Sequence, residues 1–289
     1  MDKTEEYLVY LSERNRKQKT IQTYRSYINR CLTELEENGM STDPEKIGER
    51  ELWFLISNMP GKEQTVKMYV AVLNGWIMHY TNVNNLARMR PLWNRTVKKR
   101  LFISKNDFFT VYREADPRCR LILMLGSCMG LRRSEIWGIE LSDIRDGSIS
   151  IRGKGHGADG LSTKNLMPSP VIEEIKSYMK WRSKFKGKDK SLDKLLVYKD
   201  HEGNIRPYER SESIGHLLKA LSRKTGVEIT PHSLRRLFAT ELKKSGCELV
   251  EISHLMRHAS INTTVIYFDE DKNAQNAALE KMSSGFVMI

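Results

Sequence analysis

From Thr4 to Tyr80 apolar side chains recur at helical spacing. Ile21, Tyr24, Ile28, Leu32 and Leu35 form one stripe, and Val66, Tyr69, Val70, Leu73 and Ile77 form another. A stripe of this period buries one face of a helix and leaves the opposite face to water. Breaks fall at Asn38-Gly39, at Ser41 to Pro44 and at Pro60-Gly61, where Gly, Pro and small polar residues interrupt the pattern. The spacing predicts about four helices packed as a small N-terminal domain.

Further along, Ser104 followed by Asp107 reads as the capped start of a helix. Leu121 to Met129 is apolar on all sides and predicts a buried helix that stops at Gly130. Ser148 to Gly153 alternates as a strand does, and a Gly-rich tip, GKGHGADG, leads to a weaker strand around Leu161 to Pro168. Helical spacing returns at Val171–Arg182, at Ser211–Lys224 and from Pro231 onward. The expected fold is mainly α. A helical domain occupies residues 1–86, a linker 87–103, and an α-rich domain with a small antiparallel β-sheet 104–289.

Charge changes this picture at one place. Lys and Arg number 48 against 36 Asp and Glu, a net charge of +12, which favours a polyanionic partner. Between Thr81 and Asn106 there is no acidic residue, while Arg88, Arg90, Arg95, Lys98, Lys99 and Arg100 crowd together. A basic connector of this kind suits a protein that closes around a phosphate backbone, although charge runs also occur in linkers that only face solvent. The four cysteines, Cys31, Cys119, Cys128 and Cys247, form no Cys-x-x-Cys pair, so free thiols and a cytoplasmic location are expected. No apolar run reaches the ~20 residues that span a bilayer, so no membrane partner is expected.

Three segments carry candidate chemistry. In GLRRSEI, Gly130 to Ile136, Arg132 and Glu135 are three apart; the plain alternative is a minor surface ion pair. In TPHSLRRLFATELKKSG, Thr230 caps and Pro231 opens a helix, placing His232 and Arg235 near an N-terminus that favours phosphate. The alternative is an exposed basic helix end, although a first helical turn more often carries acidic residues. In HASINTTVIYFDED, His258 precedes Tyr267 by nine residues, and Tyr267 beside Val265 and Ile266 reads alone as a core tyrosine.

Taken together, GLRRSEI, HSLRRLFAT and RHASINTTVIY resemble the three sequence boxes of the tyrosine recombinase, or phage integrase-like, family. The resemblance covers about Ser104 to Phe268, and residues 1–86 look like the family's core-binding, SAM-like domain. It implies that Arg132 and Arg235 are the catalytic arginines, His232 the histidine of the second box, His258 that of the third and Tyr267 the nucleophile. Glu135 matches an acidic position that supports the site from behind. The family's lysine lies on the β-hairpin, which implies Lys154 in the GKG context, with Lys164 as rival. Two departures stand out: Arg236 occupies a position where many members have histidine, and the hairpin is longer than usual.

The resemblance further implies strand cleavage through a 3′-phosphotyrosyl link without metal, cofactor or ATP. It also implies double-stranded DNA as partner, and a homo-tetramer on two DNA sites with the Asn273–Ile289 tail exchanged between protomers. A type IB topoisomerase-like enzyme and a non-catalytic DNA-binding protein of the same fold are the alternatives. Zinc is a weaker reading: His254 and His258 are four apart, but Leu255 stands where the H-E-x-x-H motif requires glutamate. GKGHG lacks the spacing of a nucleotide-binding phosphate loop.

Overall fold

The computed structural model describes residues 2–89, 101–152, 162–185 and 192–257, with only the backbone of Arg88 and Ser162. Arg90, Arg95, Lys98, Lys99, Arg100, Lys154, His258 and Tyr267 therefore lie outside the described residues. The chain divides into two compact units, Met1–Lys98 and Lys99–Ile289, and the expected linker straddles that division.

In the first unit the described elements are α1 (Lys3–Glu13), α2 (Gln18–Glu37), α3 (Glu49–Asn58), α4 (Glu63–Thr81) and the short α5 (Asn85–Met89). The two apolar stripes fall on α2 and α4, which pack together and bury Ile28, Leu35, Val70, Leu73 and Ile77 completely. Each such side chain contributes about 1.5–3 kcal/mol by leaving water. Helix α5 adds to the expected four and takes in the residues up to Met89, so the connector begins in helical structure.

The second unit runs α6 (Lys105–Glu114), α7 (Pro117–Cys128), α8 (Arg133–Gly138), β1 (Ile144–Arg145), β2 (Ser148–Arg152), β3 (Ser162–Leu166), α9 (Ser169–Arg182), β4 (Val197–Lys199), β5 (Ile205–Pro207), α10 (Glu212–Thr225), α11 (Pro231–Lys244) and α12 (Leu249–Leu255). Ser104 caps α6 through the backbone N–H of Asp107, and the Asp107 carboxylate accepts from the Ser104 N–H in return. Helix α7 begins four residues before the apolar run because Asp116 caps it and Pro117 opens it. It packs against both α9 and α11, so Leu121, Ile122, Leu123 and Leu125 are all buried.

Strands β1, β2 and β3 form an antiparallel sheet in that order, with Ile149 opposite Asn165 and Ser150 opposite Lys164. Ile149 and Ile151 enter the core. Lys164 is exposed and shares the other face with Ser150. Strands β4 and β5 form a second antiparallel pair where one sheet was expected. No helix among the described residues is long and apolar enough to cross a membrane.

Candidate active site

The site is built where α7, α8, α11 and α12 end or begin. Helix α7 closes at Met129, and Gly130 follows with φ +59°, the left-handed conformation that glycine adopts most readily. The Leu131 N–H returns to the Leu125 carbonyl at 3.2 Å, which wraps the chain over the helix end. A Cβ at Gly130 would collide with the Phe238 ring on α11, so the close approach of the two helices also requires glycine.

Arg132 is the N-cap of α8, and Glu135 lies in that helix's first turn. The Glu135 carboxylate accepts from the Arg132 backbone N–H at 2.8 Å and from Arg132 Nη1 at 2.6 Å. The Glu135 side chain is only 2% exposed, whereas that of Arg132 is 27% exposed. The pair is thus no surface ion pair: a buried carboxylate holds a guanidinium that still reaches solvent.

Thr230 caps α11 by accepting from the Ser233 N–H at 3.0 Å, while Ser233 Oγ accepts from the Thr230 N–H at 2.8 Å. That fixes the first turn. His232 stays exposed there, while Arg235, one turn on, is buried. Arg235 donates from Nη1 to the Gly130 carbonyl and from Nη2 to the Met256 carbonyl, and its Nη1 lies 3.9 Å from Glu135 Oε2. A guanidinium is a rigid fork, so two such bonds fix its plane. The exposed-helix-end alternative therefore fails for Arg235.

A residue not anticipated from sequence completes the cluster. Arg257 Nη2 donates to Glu135 Oε2 at 3.2 Å and to the Gly130 carbonyl at 3.2 Å, and Arg132 Nη2 donates to the Arg257 carbonyl at 3.0 Å. Three guanidiniums thus surround one carboxylate, and the excess positive charge suits an anion. The available signal was a charged residue where α12 must stop, immediately before His258.

Electrostatics follow from this arrangement. Burial pushes the Glu135 carboxyl up, but the Arg257 charge and the bonds from Arg132 outweigh it and hold the group below its usual value. Partial desolvation, then the charges of Arg236, Arg235, Arg133 and Arg132, hold the His232 imidazole below its usual value. Because His232 keeps an exposed face, water relieves much of the burial cost, and the four guanidiniums are the main physical cause.

Arg236 donates to the Leu101 carbonyl at 3.1 Å and lies over the Phe102 ring, so it fastens the residues that lead into α6. Among the described residues no three His, Cys, Asp or Glu side chains are grouped as a metal ion would require. An open cleft of about 570 Å³ near Arg118, Tyr198 and Tyr208 contains none of the expected site residues.

Arg132, Glu135, His232 and Arg235 are therefore brought together. Lys164 is on β3, and Lys154, His258 and Tyr267 lie outside the described residues.

Residues 102–274, more than half of the chain, match the phage integrase family. The tyrosine recombinase XerA of Pyrococcus furiosus is 26% identical over 270 residues, covering 91% of this chain and 87% of its own length. The tyrosine recombinase XerA of Thermococcus kodakarensis is 36% identical over 156 residues, covering 52% of this chain and 50% of its own length. In fold, the chain is similar to the Tn1549 transposon integrase in complex with transposon right end DNA. That likeness has a TM-score of 0.70 at 18% identity and covers 98% of this chain and 100% of that one. With its arginines gathered on Glu135 inside the matched stretch, the chain belongs to the phage integrase family of tyrosine recombinases.

Proposed function

We propose that this tyrosine site-specific recombinase cuts double-stranded DNA with Tyr267 as nucleophile, on a phosphate held by Arg132 and Arg235. The observation that carries the reading is the cluster itself: Arg132, Arg235 and Arg257 around Glu135, with His232 at its exposed edge. A phosphodiester carries one negative charge and its pentavalent transition state carries more, so fixed guanidiniums stabilise the second more than the first. The type IB topoisomerase alternative is not favoured, because the curated relatives matched over most of the chain are named tyrosine recombinases.

In this reading the Tyr267 oxygen attacks phosphorus and loses its proton, with His232 assisting the transfer. The bond to the 5′ oxygen breaks, and Lys154 protonates that oxygen as it leaves. His258 donates to a phosphate oxygen. A tyrosine at its ordinary pKa of about 10 is a poor nucleophile, and the surrounding positive field lowers the cost of its ionisation. The phosphotyrosine ester retains the energy of the broken phosphodiester, so a 5′-hydroxyl from a second strand reverses the step without ATP. DNA-bound integrases of the same fold support duplex DNA as the partner.

A nicked suicide substrate, whose 5′ fragment diffuses away after cleavage, tests the assignment. Wild-type protein becomes covalently attached, and Tyr267→Phe binds without attaching. Equal attachment by both would refute the role of Tyr267. The general acid is tested separately with Lys154→Ala and Lys164→Ala. Substrates with a 5′-bridging phosphorothioate have a leaving group that needs no proton, so such a substrate restores cleavage to the variant lacking the acid. Rescue of Lys164→Ala alone would transfer the role to Lys164.

A further inference from the structure

We infer that Arg257 is a positioning residue for strand cleavage: it sets the geometry of Arg132 and starts the segment toward His258 and Tyr267 from a fixed point. This rests on the recombinase reading of the same site and adds a residue to it.

The backbone gives the first reason. Helix α12 ends with Met256 in an ordinary helical conformation, and the Arg257 N–H turns back to the His254 carbonyl at 2.9 Å. Arg257 itself has φ +53°. That is the position after a helix where glycine is the usual residue, since a Cβ is strained there. An arginine in such a place needs compensation from its side chain.

The side chain supplies it. Arg257 is 9% exposed, and its Nη2 donates to Glu135 Oε2, to the Gly130 carbonyl and, at 3.4 Å, to the Met129 carbonyl. Its Nη1 donates to the Leu255 carbonyl at 3.0 Å. One guanidinium therefore joins the end of α12 to the end of α7 and to the carboxylate that orients Arg132. The link is reciprocal, because Arg132 Nη2 grips the Arg257 carbonyl and Arg235 Nη2 grips the Met256 carbonyl next to it. Both catalytic arginines thus hold the two peptide units from which the chain continues to His258. Removing the Arg257 guanidinium frees one end of this lock while Arg132, His232 and Arg235 all stay in the chain.

The test uses the full-length chain with Arg257→Gly and Arg257→Lys. Glycine accepts φ +53° without strain, so Arg257→Gly removes the guanidinium while relieving the turn. Lysine keeps the charge but has no planar fork to span Glu135 and the carbonyls. Three quantities are read: affinity for duplex DNA, the single-turnover rate of covalent attachment to the nicked substrate, and that rate with millimolar guanidinium ion added.

Affinity is expected to stay within about 3-fold, since the Arg257 guanidinium is engaged with Glu135 and with backbone carbonyls and its side chain is 9% exposed. Attachment slows about 100-fold in Arg257→Gly and about 10-fold in Arg257→Lys, the size expected when reacting groups are displaced by a fraction of an ångström to 1 Å. Guanidinium ion restores at least 5-fold of the lost rate in Arg257→Gly and none in wild type, a response that a general packing defect would not produce. Should Arg257→Gly fail to fold, the Arg257→Lys rate decides alone. Wild-type rates in both variants, or slow Arg257→Gly cleavage with no response to guanidinium, would overturn the inference. Failure of wild-type protein to attach would instead overturn the recombinase reading, and this inference with it.

Discussion

Glu135 is the residue on which the site balances. Its carboxylate is the negative partner of Arg132 and Arg257 in a setting where water cannot replace it. Breaking a buried ion pair by removing one member leaves an uncompensated charge, so Glu135→Ala should lose about 3–5 kcal/mol of stability in urea unfolding. An effect below 1 kcal/mol would show the arginines to be solvated after all. The same carboxyl sets a pH dependence. Its folded pKa lies below the ordinary 4.5, so its contribution is complete above about pH 4.5 and is lost as pH falls through the folded value. Glu135→Gln should flatten that acid limb of stability. His232 titrates in the opposite sense to a stabilised cation: its imidazole should ionise below about 6.5 in the free protein and shift upward when a phosphate joins the site. NMR titration with and without DNA measures both values, and an unchanged His232 would place it away from the phosphate.

At the scale of elements, the site depends on how closely α7 and α11 approach at Gly130. Gly130→Ala combines a strained left-handed conformation with a collision on Phe238 and should cost about 2 kcal/mol or more, read as a lowered Tm. The helices that matter were largely legible in the sequence, because α2, α4 and α11 are long enough for their period to show and α6 and α11 carry capping residues. The β4–β5 hairpin was not, since strands of three residues, VYK and IRP, are too short for alternation to register. Arg132, Glu135, His232 and Arg235 were legible as motifs, but the burial of Glu135 and Arg235 was not, because it arises from helix ends that are distant in sequence. Arg257 escaped for a related reason: a left-handed arginine is disfavoured locally, and the bonds that tie it to Glu135 and Gly130 are distant in sequence.

For the whole molecule, the +12 charge and the acid-free connector lead to a prediction about DNA binding rather than about chemistry. Replacing Arg88, Arg90, Arg95, Lys98, Lys99 and Arg100 by Gln should weaken binding at low salt and shrink the salt slope by about 0.9 for each DNA phosphate that is no longer neutralised. A slope equal to that of wild type would show that the connector neutralises no phosphate. A homo-tetramer on two DNA sites, with the tail exchanged between protomers, remains a proposal that a truncation after Ser284 checks: paired-site assembly should fall more than single-site binding. The central claim is that one tyrosine takes over a DNA phosphate within this arginine cluster. It is tested most directly by trapping wild-type protein on the nicked substrate, digesting it and mapping the DNA-linked peptide by mass spectrometry. The account predicts a nucleotide adduct on Tyr267 through a 3′-phosphate; an adduct on any other residue, or one joined through a 5′-phosphate, would contradict it.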